Sequence, residues 1–85
     1  MEPWKLVLDE SSFQFFIGLR APERRRVLYV LDQLKRNPQQ ERHFVMADST
    51  GRRLSVLALK PFLISYWLDS LALEVRVVDI QRVRP

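Results

Sequence analysis

Trp4, Leu6 and Leu8 alternate with Lys5, Val7 and Asp9, a period of two that predicts a first strand with one strongly apolar face. Asp9, Ser11 and Ser12 are N-cap residue types, and after them the rhythm shifts. From Phe13 to Arg20 the spacing becomes helical, with Phe13, Phe16 and Ile17 on one stripe and Phe15 and Leu19 on the opposite side. A helix apolar nearly all round must be covered from two directions, by the core of its own domain and by a partner. Ala21-Pro22-Glu23 breaks this helix and starts a second, Pro22 at the first helical position and Glu23 near the positive end of the helix dipole. Val27, Val30, Leu31 and Leu34 then recur at helical spacing while Arg25, Arg26, Tyr29, Asp32, Gln33 and Arg36 face away, until Asn37-Pro38 stops the helix.

Beyond a polar connection at 39–41 the chain becomes β-rich. The segment from His43 to Asp48 reads as a short edge strand or an extended lead-in. Ser49-Thr50-Gly51 is turn chemistry, and three runs follow, Arg53 to Lys60, Phe62 to Asp69 and Glu74 to Gln81. Their connections, Lys60-Pro61 and Ser70 to Leu73, are short enough for antiparallel hairpins. The expected architecture is therefore α+β: an N-terminal strand, a helical hairpin, then an antiparallel meander of three or four strands, with the helices on one sheet face. The first strand has no hairpin partner near it in sequence, so it joins the meander from a distance.

Length changes this picture in one respect. Eighty-five residues suit a single domain spanning 1–85, and a domain this small buries only about 60% of its unfolded surface, which leaves room for a partner or a second copy. The absence of cysteine removes disulfides, thiolate metal sites and a cysteine nucleophile together. No apolar stretch is long enough for a membrane span and the start lacks a secretory signal pattern, so a cytoplasmic location is expected. The net charge is +4, and eleven of the fourteen positive residues are arginine. Arginine pairs bidentately with phosphate or carboxylate, so an acidic partner, nucleic acid or protein, is expected.

The segments Gly51-Arg52-Arg53-Leu54-Ser55-Val56, Pro61-Phe62-Leu63-Ile64-Ser65-Tyr66-Trp67-Leu68-Asp69 and Glu74-Val75-Arg76-Val77-Val78-Asp79-Ile80, taken in this element order, resemble the RelE/ParE superfamily over nearly the whole chain. The resemblance implies the toxin half of a bacterial type II toxin-antitoxin pair, held inactive by an acidic antitoxin that wraps around it. Some members of that superfamily cut messenger RNA on the ribosome and others block DNA gyrase; a homodimer is a further expectation. Ribonuclease members place cations on the sheet face opposite the helices and a basic or aromatic residue near the C-terminus.

This sequence departs from that pattern. If Ser55, Leu57, Ile64 and Tyr66 face the helices, the open face receives Leu54, Val56, Ala58, Leu63, Ser65 and Trp67, with Lys60 and Arg82 or Arg84 as the nearest cations. If the faces are reversed, Arg53 joins Ser55, Leu57, Phe62, Ile64 and Tyr66 there. Lys60 and Arg53 are the catalytic candidates under these readings. Cleavage by the 2′-hydroxyl of the substrate also needs proton-transfer groups, and the sequence offers only His43, whose ordinary role is structural, and Tyr66, better suited to the core. Alternation along the last strand puts Arg76, Arg82 and Arg84 on one side as an acidic-recognition surface, with Leu63 and Trp67 as apolar contacts. Arg24-Arg25-Arg26 reads first as a solvated helix face and second as a phosphate track. Asp79 is expected in a structural ion pair. No metal-ligand spacing, glycine-rich phosphate loop or catalytic triad pattern occurs, so no cofactor is expected. Two functions stay open, an RNA-directed toxin and a catalytically inert binding module such as a gyrase-type inhibitor or a toxin-like domain that has lost activity.

Overall fold

The computed structural model describes residues 3–38 and 44–83. Five strands and two helices follow in the order β1 (Lys5–Leu8), α1 (Glu10–Ile17), α2 (Ala21–Arg36), β2 (Phe44–Ala47), β3 (Arg53–Leu59), β4 (Phe62–Asp69) and β5 (Glu74–Arg82). They build one sheet of order β1-β5-β4-β3-β2. Strands β2 to β5 form the antiparallel meander, four strands long, and β1 adds to its far edge parallel to β5. The segment after the polar connection is thus a true edge strand; His43 lies outside the described residues.

Alternation fixes the two sheet faces. Leu57, Phe62, Ile64, Tyr66, Val75, Val77 and Ile80 pack with Leu19, Val27, Leu31 and Leu34 into one core, flanked by Trp4 just before β1 and by Leu6 and Leu8 within it. The first of the two readings of the faces is therefore the one the fold adopts, and of the stripe expected on the second helix Val27, Leu31 and Leu34 are buried while Val30 is only partly so. The Leu54, Val56 and Ser65 side chains point to the open face, yet they too are buried, outside the main core.

Helix α1 begins at Glu10, earlier than its apolar run suggests, because Asp9 caps it: the Ser12 amide donates to Asp9 Oδ1 at 2.8 Å. Burial opposes the charged form of Asp9, but the Ser12 amide and the Ser11 hydroxyl outweigh it, and its pKa falls below the ordinary value. The helix turns Phe15 and Phe16 to the core, with Phe15 edge-on to Phe62, and leaves Phe13 and Ile17 about half exposed. Phe16 thus parts from the stripe of Phe13 and Ile17. The arginine run at the start of α2 is partly engaged: Arg24 Nη1 donates to the Leu19 carbonyl at 3.0 Å, and Arg26 Nη2 donates to the Lys60 carbonyl at 2.8 Å.

Candidate functional site

The register of β4 on β5 changes once. Ser65 faces Asp79 and Tyr66 faces Val77, leaving Val78 as an extra residue in β5. This bulge overturns the expectation that Arg76 and Arg82 share a side. Arg76 stands opposite Trp67 on the open face, whereas Arg82 stands opposite Phe62 on the helix-covered face. There its guanidinium lies 4.9 Å from the Phe62 ring centroid and makes a two-pronged pair with Glu23 of α2 at 2.7 and 3.0 Å. The bonds from Arg82 hold the Glu23 carboxyl below its usual range and raise Arg82 in turn. Arg82 thus fastens the end of the sheet to α2. Arg84 lies outside the described residues.

Trp67 stands on the open face towards the end of β4. The Arg52 guanidinium sits 4.2 Å from its ring centroid and that of Arg76 5.7 Å away, so the indole holds two cations by their attraction to its π-face. Arg52 stands just before β3 and has the parity of Leu54, which brings it onto this face. Its backbone is set by Asp48, whose Oδ1 accepts from the amides of Thr50 and Arg52, both at 2.9 Å. Gly51, with φ +85°, supplies the left-handed turn that this loop requires. Arg76 is steadied by Glu74 at 2.6 Å. Val7, Asp9, Val77 and Val78 complete a cleft of about 340 Å³ with Arg52, Trp67 and Arg76.

Strand alternation did not disclose Arg52, because it precedes the strand, and Arg76 was grouped with the wrong neighbours. The available signal was the cross-strand pair Trp67 and Arg76. Leu63 lies on the same face of β4 as Trp67, nearer its other end. Lys60 and Arg53 do not meet: they stand at opposite ends of β3, roughly 20 Å apart, and Arg53 has the parity of the helix-covered face.

Asp79 forms no ion pair or hydrogen bond among the described residues, contrary to the expected structural pair. Burial raises its pKa, and the negative charge of Asp9 raises it further. The folded chain therefore holds the Asp79 proton more tightly than a free aspartate does. The chemistry this cleft offers is recognition: an aromatic ring with two guanidinium groups over it that can meet phosphate oxygens, and the Asp9 carboxyl in the same lining.

No family model matches the sequence, and no curated protein matches it. Solved structures do match in shape. The isolated RelE toxin of E. coli superposes with a TM-score of 0.78 at 16% identity, over 96% of this chain and 86% of that one. The archaeal RelE-RelB complex from Pyrococcus horikoshii OT3 gives 0.76 at 13% identity, over 96% of each chain. The intact E. coli RelBE toxin-antitoxin complex gives 0.72 at 16%, over 96% of this chain and 99% of that one. The chain has the RelE toxin fold.

Proposed function

We propose that this protein is the toxin of a toxin-antitoxin pair, that it slows translation by engaging messenger RNA through its open sheet face, and that an acidic antitoxin neutralises it. The observation that carries the reading is Trp67 held between Arg52 and Arg76 on the face opposite the helices. Single-stranded RNA exposes base planes and a phosphate chain together, and an indole flanked by guanidinium groups matches both. One of the similar structures is a toxin-antitoxin complex and another is a RelE-RelB complex, which supports an antitoxin partner here.

Binding of a short single-stranded RNA at low and moderate salt tests the reading. Trp67→Ala should weaken binding by about 1 to 3 kcal/mol, and Arg52→Gln should also reduce the salt slope. Equal affinity and slope for parent and both folded variants would remove the open face from RNA recognition.

A second reading, an inert binding module of the gyrase-inhibitor kind, draws on the separation of Lys60 from Arg53 and on the apolar middle of the open face. Under it, purified protein leaves messenger RNA on programmed ribosomes intact and inhibits gyrase supercoiling. Codon-positioned cutting that Lys60→Ala or Arg53→Ala abolishes would rule that reading out.

A further inference from the structure

The hairpin between β4 and β5 breaks two rules of turn chemistry at once. Turns in water are built from glycine, asparagine, aspartate and serine; here Ser70 leads into Leu71-Ala72-Leu73. Leu71 is fully exposed. Leu73, 42% exposed, takes φ +55°, the left-handed region in which a side chain strains the backbone and glycine is the usual occupant. The tip is nevertheless firmly held. Asp69 Oδ1 accepts from the Ala72 amide at 3.1 Å, and the Leu73 carbonyl accepts from the Lys5 amide of β1 at 2.9 Å. Strain kept in a pinned turn, with two leucines left in solvent, points to a contact made outside the chain.

Register sets this tip beside the Trp67 cleft. Trp67 pairs with Arg76 and Asp69 with Glu74, so the turn begins just beyond the indole. On the other side of β5, Val7 pairs with Arg76 and Lys5 with Glu74. Leu6 and Leu8 go to the core, so Lys5 and Val7 stand on the open face, and Val7 already lines the cleft. Lys5 is therefore a third cation on that face, its Cα roughly 8 Å from that of Arg76, one strand spacing across and two residues along. Two acids share this end, and both are engaged: Glu74 with Arg76, and Asp69 with the Ala72 amide. Among the described residues Lys5 has no ion pair.

We infer that Lys5, Leu71 and Leu73 form a second nucleotide subsite, next to the Trp67 cleft and towards the β1 edge. Lys5 takes a phosphate of the strand whose neighbouring phosphate lies on Arg76, and the leucines take the apolar face of the adjacent base. An apolar side chain set against a base replaces its stacking neighbour, and a lysine on its long stem serves a phosphate within its reach. The inference rests on the RNA reading of the open face and gives the direction in which the strand leaves the cleft.

The probe is a labelled oligouridylate, long enough to cover both subsites, bound to the full chain over a range of salt. Lys5→Gln should make the slope of log affinity against log salt shallower by about 0.7, one phosphate contact on a single strand. Leu71→Ser and Leu73→Gly should weaken binding several-fold at every salt concentration and leave the slope as it is, because an apolar contact releases no counterion. Both leucine variants should melt no lower than the parent, since Leu71 is bare and glycine relieves the backbone at position 73. Suppose the parent binds and Trp67→Ala weakens it. A parental slope in Lys5→Gln, or parental affinity in both leucine variants, then overturns this inference alone and leaves the proposed function standing; in the second case the tip serves a protein contact instead. Absence of binding by the parent defeats both.

Discussion

An even number of positions separates Arg76 from Arg82, so strict alternation places them on one face; the single extra residue at Val78 reverses that. One guanidinium goes to Trp67 and the open face, the other to Glu23 and the helix. A bulge leaves little mark in composition, since Val78 is as good a strand residue as its neighbours. The same irregularity sets Asp79 beside Ser65, and among the described residues no cation pairs with it. Because burial and Asp9 raise its pKa, the folded state holds the Asp79 proton more tightly than the unfolded chain does. Its contribution to stability is present below the unfolded aspartate pKa, about 3.9, and is lost as pH rises through the folded value. Asp79→Asn should therefore raise the melting temperature at neutral pH and leave it unchanged in strong acid. A lower melting temperature at neutral pH would mean that the carboxylate has a partner after all.

The elements were largely legible. Trp4 to Leu8 alternates cleanly, the Val27, Leu31 and Leu34 stripe is interrupted by no polar residue, and Lys60-Pro61 marks a hairpin without ambiguity. Leu31 is 1% exposed, so Leu31→Ala should cost about 2 to 5 kcal/mol in a denaturant titration. A loss below half that range would mean the core refills the space. Helix α1 was harder to read because aromatic residues occupy both of its sides, and periodicity alone cannot choose which side packs inward. The fold decides by setting Phe15 against Phe62. Its N-terminus is decided by one side chain, and Asp9→Ala should destabilise by about 1 kcal/mol. A melting curve identical to the parent would show that another group caps the helix.

At the scale of the molecule two unlike surfaces stand apart. The open sheet face gathers Trp67 and two arginines into a cleft, and the groove along α2 carries apolar side chains between cations. The sequence singled out Arg76 and Trp67 of the first but not Arg52, and it showed nothing of the second, since each joins residues from elements distant along the chain: Arg52 with Arg76 in one, Tyr29 with Leu59 in the other. The fold was visible, because hydrophobic rhythm and turn residues act locally. The shape it takes is that of RelE, but the strand positions of the open face are mostly apolar, and the cations stand at its margin. We propose that this margin, centred on Trp67, acts on translation. It is tested most directly by inducing the parent and the Trp67→Ala, Arg52→Gln double variant at equal soluble levels and following amino-acid incorporation into new protein. The parent should halt incorporation, and the double variant, equally well folded, should permit it. Undiminished incorporation with the parent, or arrest as complete with the double variant, would contradict it.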